Sequence, residues 1–421
     1  MNHINEGLLS FIDRSPTQYH AVHTAKEMLL SAGFTPLREE DAWSLTPGQG
    51  YFVTRNQSCL IAFRMKEQFE GFMVGAAHTD SPNLKIKEDP DRNAEGYTKL
   101  DVEGYGGAIL RSFLDRPLSV AGRLLADTEE GLKSVLVNID RDLMVIPSLA
   151  IHMDRGVNEG KKLSIQTDMM PLLGKGKQDI VALAAETVGL KKEQILSHDL
   201  SVYARDKARF IGAEEEFVMA PRLDDLQCVY GLLQGFLAAE EPKNIPVLCL
   251  FDNEEVGSSS RQGALSTFLP DVLGRINGLT GGDGEKYRQK MARSMMVSAD
   301  NAHGVHPNHP EKAAQAQRPI LGEGVVVKFG RGYATTGLSA ALFRKLCGSV
   351  PTQTYFNHSD TPGGSTLGAL ASATVSMYIV DVGMAQLSMH SACETAGRED
   401  AGHLALAMKH IFEGEVPEGL E

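Results

Sequence analysis

The sequence predicts an α/β fold, in which a mostly parallel sheet flanked by helices is interrupted by an inserted β-rich domain. Three observations carry this. The runs GFMVGAA (71–77), IPVLCLF (245–251) and SMMVSA (294–299) are apolar or small at nearly every position, as in strands buried on both faces of a parallel sheet. Helical apolar spacing alternates with them, the rhythm of β-α-β units. Between about residues 90 and 220 that rhythm gives way to Gly- and Asp-rich turns and short alternating runs such as SVAGRLL and KSVLVNID, a separate β-rich unit. A chain of 421 residues, at roughly 150 per domain, has room for two or three domains. We therefore expect a discontinuous domain of residues 1–89 and 221–421 around an insertion at 90–220.

Taken in order, residues 6–33 place Leu8, Leu9, Phe11 and Ile12, then Ala21, Val22, Ala25, Met28 and Leu29, at helical spacing, with Gly33 suited to end the second of two helices. CLIAFRM (59–65) and GFMVGAA begin the sheet. After the insertion, PRLDDLQCVYGLLQGFLAAEE predicts a helix, and IPVLCLF, SMMVSA, VVVKF (325–329) and YIVDVG (378–383) predict strands.

The net charge of −13 opposes attraction to phosphate backbones or anionic lipid, so no nucleic-acid or membrane partner is expected. The chain as given starts without a basic stretch followed by an apolar core, and no run of about 18 uncharged apolar residues occurs, so a cytoplasmic location is the expectation. Its five cysteines are scattered and never form a CxxC pair, which indicates neither a disulfide framework nor a thiolate zinc site.

Polar residues gather just after the predicted strands: His78 and Asp80, Glu254 and Glu255, Asp300, and further on His390. In open α/β sheets, sites assemble beyond the carboxyl ends of the strands. Asp224 and Asp225 open the long helix. Imidazoles with several carboxylates suit zinc or a similar divalent ion, and a carboxylate shared between two ions holds them about 3.5–4 Å apart. Singly, each residue has an ordinary role as a helix cap, a dipole partner or a solvated loop acid; their coincidence points to a dinuclear hydrolase. His303, His306 and His309 share a spacing of three, but Pro307 and Pro310 break any continuous helix, so the rings need not share a face.

The ordered strings AAHTDSPNLKIK, EGYGGAILRSFLDRPLSVAGRL, IPSLAIHMDRGVN, APRLDDLQCVYG, LFDNEEVGSSSRQGA, SADNAHGVHPNHPEK, DTPGGSTLG and LSMHSACETAG resemble the aspartyl aminopeptidase family, from about residue 10 to residue 413. The resemblance implies a zinc-exopeptidase catalytic domain, two zinc ions per subunit with manganese or cobalt as substitutes, and a tetrahedral homododecamer acting on peptides with a free N-terminus. Carried over by motif, His78 and Asp300 would bind one ion, Glu255 and His390 the other, and Asp224 would bridge them. Glu254 would be the general base for a metal-activated water, and Asp80 would orient His78. His152 would reach the substrate across a subunit contact, or alternatively serve as a third histidine ligand. Consecutive residues of an extended segment face opposite ways, so Glu255 could hold a metal while Glu254 faces the water.

The chain departs from the family where an acidic substrate side chain would be recognised. KFGRGYATTGL and FNHSDTPGGST replace the usual strings, and Lys328, Arg331, His358 and Lys85 become the candidates for binding it. Phe113 stands where Trp is usual, and Asp225 where Asn is usual. The expected activity is removal of N-terminal Asp or Glu. The alternatives are a dinuclear exopeptidase of broader or neutral specificity, and a non-enzymatic assembly or binding protein on the same fold.

Overall fold

The computed structural model describes residues 2–361 and 363–420. They form two compact units, one made of the chain up to Asp80, Ala208–Met389 and the chain from Thr395 on, the other of Ser81–Lys207 with His390–Glu394. The borders fall at 80/81 and 207/208 rather than at 89/90 and 220/221. The long strand Asn83–Ala94 already pairs within the second unit, with Tyr97–Tyr105 and Ile195–Ala204.

The first unit is built on a nine-stranded mixed sheet. Its strands run, in spatial order, Thr35–Leu37, Gly50–Arg55, Cys59–Arg64, Ile245–Phe251, Phe72–His78, Met295–Ala299, Tyr378–Gly383, Val325–Phe329 and Thr352–Phe356. The four middle strands, from Ile245–Phe251 to Tyr378–Gly383, are mutually parallel, and antiparallel neighbours flank them on both sides. Every residue of Phe72–His78, Ile245–Phe251 and Met295–Ala299 is buried, which is why these runs read as uninterrupted apolar sequence.

Helices cover both faces. Against one pack Asn2–Asp13, Gln18–Ser31, Leu223–Ala238, Gly337–Cys347 and Asp400–Glu413; against the other pack Phe268–Leu279 and Leu367–Ala371. The helices Leu223–Ala238 and Asp400–Glu413 touch closely because Gly235 has no side chain. A Cβ there would stand 2.7 Å from both the Ala405 carbonyl oxygen and Met408 Cβ.

The second unit is a six-stranded sheet, all of whose pairings are antiparallel, with its own core of Leu84, Val102, Leu118, Val120, Leu124, Leu200 and Val202 among others. All five cysteines are free and buried. Among the described residues, no helix is long and apolar enough to cross a membrane.

Candidate metal centre

The parallel strands deliver their last residues to one edge of the sheet. Register pairs His78 with Phe251, and Ser298 with both Ala76 and Asp381, so His78, the loop after Phe251 and Asp300 emerge side by side. The bend before the helix Leu223–Ala238 adds Asp224 and Asp225. Arg222 is left-handed at φ +59°, and Asp224 and Asp225 keep non-helical angles across a cis peptide bond, so this is a bend rather than the first helical turn that the sequence suggests. Asn301, next to Asp300, steadies that bend. Its Nδ2 donates to the Leu223 carbonyl at 2.9 Å and to Gln386 Oε1 at 2.8 Å, and the Cys228 thiol donates to its Oδ1 at 3.4 Å.

Within the first unit, two groups of side chains bring ligand atoms within 4.8 Å of one another: His78, Asp224, Asp225 and Asp300, and His78, Glu254 and Glu255. His78 Nε2 lies 3.4 Å from Asp224 Oδ1. Its Nδ1–H donates to the Asp80 backbone carbonyl at 3.0 Å, which fixes the tautomer and leaves Nε2 for an ion. Burial alone would lower the His78 pKa, but the charges of Asp225, Asp224 and Asp80 push it well above the ordinary value. Burial pushes Asp225 well above the carboxylate range, and Asp300 and Asp224 add to it against His78. So many carboxylates around one buried ring, with Asp225 Oδ1 buried and without a hydrogen-bond partner, fit a divalent cation that would neutralise them.

Glu254 and Glu255 do not lie in an extended segment. They occupy a 3-10 turn, Glu254–Val256, entered through Asn253 at φ +63°. The Asp80 carboxylate holds this turn, Oδ1 accepting the Glu254 N–H and Oδ2 the Glu255 N–H, each at 3.1 Å. The backbone carbonyl of Asp80 accepts from the His78 ring at 3.0 Å, while its carboxylate stands 3.4 Å from the ring and anchors the glutamates. Burial, then Asp300, Asp224 and Asp80, raise Glu254 to about 7 despite the opposing charge of His78.

Lys328 corrects a second expectation. Its ammonium does not stand open to a substrate: it is buried, donates to the Asp300 carbonyl at 2.7 Å, and lies 3.3 Å from Asp300 Oδ2. Arg331 is exposed. His358 lines a cavity of about 240 Å³ with His303, His306, His309 and Lys312. His306 Nδ1 and His358 Nδ1 accept the N–H groups of Asn308 and Asp360, at 3.2 and 3.3 Å, which leaves Nε2–H as each ring's donor.

His390, His152 and Lys85 belong to the second unit. His390 is left-handed at φ +67°; Glu394 Oε1 accepts its N–H at 2.6 Å, and its Nδ1 faces the Gly107 carbonyl at 3.2 Å, again leaving Nε2 available. The segment Ser391–Glu394 starts no helix, although its S-x-x-E pattern could. His152 sits exposed in a turn, and Lys85 Nζ lies 5.6 Å from the Tyr105 ring centre. Sequence reasoning named Asp225 without giving it a ligand role, and passed over Asn301 and the contact between Lys328 and Asp300. The Asp-Asp doublet was the visible signal for the first; nothing local signals the others.

Comparison with known proteins yields consistent matches. Residues 11–412 match the family described as aminopeptidase I zinc metalloprotease (M18). A probable M18 family aminopeptidase 2 of Clostridium novyi is 41% identical over 409 residues, covering 93% of this chain and 94% of its own. A protein of the same description from Pseudomonas aeruginosa is 38% identical, covering 98% and 99%. Among solved structures, a chain of the Ape4 and Nbr1 complex is 34% identical with a TM-score of 0.94, covering 97% of this chain and 85% of that one. The mApe1 dodecamer of S. cerevesiae is 27% identical with a TM-score of 0.86, covering 98% and 97%.

Proposed function

Since the chain belongs to the aminopeptidase I zinc metalloprotease family (M18), and is thus a hydrolase of the aminopeptidase kind, we propose that it removes N-terminal residues, preferentially Asp or Glu, at a two-metal centre. In this reading His78 and Asp300 would hold one ion and Glu255 and His390 the other, with Asp224 available to both. When bound, zinc polarises a carbonyl oxygen and makes water more acidic. Glu254 takes the proton of the attacking water on its carboxylate and passes it to the leaving amine. Asp80 is a positioning residue that keeps Glu254 and Glu255 on their turn. His152 contacts the substrate from a neighbouring copy, in a homo-oligomer of the dodecameric kind seen in the S. cerevesiae relative.

The observation that carries this reading is the Glu254–Glu255 turn, with both its N–H groups on Asp80 and Glu254 raised to about 7 beside His78. A general base is most effective when its pKa lies near the working pH. The acidic preference is supported by the imidazole-lined cavity at His358, with Lys312 on its wall and no carboxylate among its lining residues. Buried Lys328, already engaged by Asp300, favours a second reading, an aminopeptidase of broader specificity.

The test compares aspartyl, glutamyl and leucyl amides on the zinc-loaded protein, with metal counted per chain. Faster cleavage of the acidic amides and two ions per chain support the proposal. A leucyl preference establishes the broader enzyme, and a single ion removes the two-metal assignment.

A further inference from the structure

Asp225 is the one member of the His78 cluster that the family's ligand pattern leaves without a role, and its environment is unlike that of a structural carboxylate. The side chain is fully buried, with one oxygen occupied: Oδ2 accepts the His78 backbone N–H at 3.2 Å and lies 4.0 Å from His78 Nε2. Oδ1 is buried without a hydrogen-bond partner, and the Cys228 thiol, which also acts on this carboxylate, donates its proton to Asn301 Oδ1. Leaving such an oxygen bare costs more than leaving a neutral one, and here it would do so among Asp224 and Asp300. An amide would make the Oδ2 contact equally well, since it needs only a carbonyl oxygen to accept an N–H. The second oxygen and the negative charge therefore require another explanation, and a cation held within the same 4.8 Å group supplies it.

We propose that Asp225 is a further carboxylate donor to the ion held by His78, Asp224 and Asp300, and that it biases this site toward a harder, more highly coordinated cation such as Mn²⁺. This rests on the reading that the cluster binds metal. Zinc is commonly satisfied by four ligands, a count that His78, Asp224, Asp300 and one water already reach. Manganese prefers oxygen donors and higher coordination, so an extra carboxylate oxygen helps it more. Selectivity, rather than affinity alone, is the signature.

The test is equilibrium dialysis of the full-length chain and of Asp225→Asn against Zn²⁺ and Mn²⁺ separately, with bound metal counted by atomic spectroscopy. The Mn²⁺ dissociation constant at this site is expected to rise about tenfold or more in the variant, the size of change that loss of a supporting group produces, and the Zn²⁺ constant by no more than about threefold, since zinc keeps its four ligands. Asp225→Ser, which also removes the charge, should show the same Mn²⁺-selective loss. The metal-free Asp225→Asn protein should melt no lower than metal-free wild type, because the amide oxygen keeps the contact to the His78 N–H without burying a charge. Equal changes for both metals, or none, overturn the proposal. A metal-free variant that melts lower or fails to fold does so too, by assigning Asp225 a structural role. Wild type that binds neither metal would instead remove the metal reading itself.

Discussion

Replacing Asp80 with Asn separates what this residue does for His78 from what it does for the glutamates. The His78 ring donates to the Asp80 backbone carbonyl at 3.0 Å, a contact the substitution keeps. The side chain accepts two N–H groups, from Glu254 and Glu255, at 3.1 Å each. Asparagine retains one acceptor oxygen but turns an NH₂ group toward the other N–H, so one hydrogen bond to a charged acceptor is lost. Such a bond contributes about 1.5–3 kcal/mol. If that is lost from the placement of Glu254 at the reacting water, kcat/KM falls about 10- to 150-fold, at 1.4 kcal/mol per tenfold. The assay is kcat/KM on an aspartyl amide at saturating zinc, beside metal content. The ion attributed to His78 should be retained, and the loss should appear in kcat, with any weakened metal binding at the Glu255 site. Activity within about twofold of wild type would refute the view that Asp80 holds the turn. Loss of the ion at His78 would show instead that the Asp80 side chain acts through the ring.

Four further outcomes are expected. Glu254→Gln should lower kcat by about 10²- to 10⁴-fold while keeping its metal, as removal of a general base does; unchanged turnover with metal in place would reassign the base. Glu254 works deprotonated and burial raises it to about 7, so kcat should decline as pH falls through 7 or below, since bound cations oppose the rise, and the variant should lose that acid limb; a pH–rate profile checks both. Chelation should abolish activity and lower stability, by up to about 4 kcal/mol of lost linkage if zinc was present at a thousand times its dissociation constant, because it leaves buried Asp225 and Asp224 and half-buried Asp300 mutually repelling; calorimetry with and without zinc reads this as a lower melting temperature. Gly235→Ala places a Cβ 2.7 Å from the Ala405 carbonyl oxygen, a backbone atom that cannot swing aside, and should destabilise by about 1–3 kcal/mol in denaturant unfolding with the metal content unchanged.

The parts of this molecule that were legible in its sequence are those whose physics is local. Phe72–His78, Ile245–Phe251 and Met295–Ala299 are buried on both faces, and that condition writes itself as unbroken apolar runs. The candidate ligands follow those runs directly, so chain position alone announced His78, Glu255 and Asp300. Gly50–Arg55 and Thr352–Phe356, toward the sheet's margins, carry polar residues at several positions and left no such trace. Contacts that depend on distant chain segments were illegible for a different reason. Asp80 meets residues 174 and 175 positions away, and Lys328 meets Asp300 across 28, and no periodicity encodes either pairing. The Glu254–Glu255 pair joins the two cases. An extended segment would send adjacent side chains to opposite faces by geometry alone. The 3-10 turn does not, and so the division of labour proposed for these acids depends on a third carboxylate, Asp80, fixing the turn from another strand's end. The working unit is therefore the turn together with its anchor, and substitutions at Asp80 should report on Glu254 as sensitively as substitutions nearer to it in sequence.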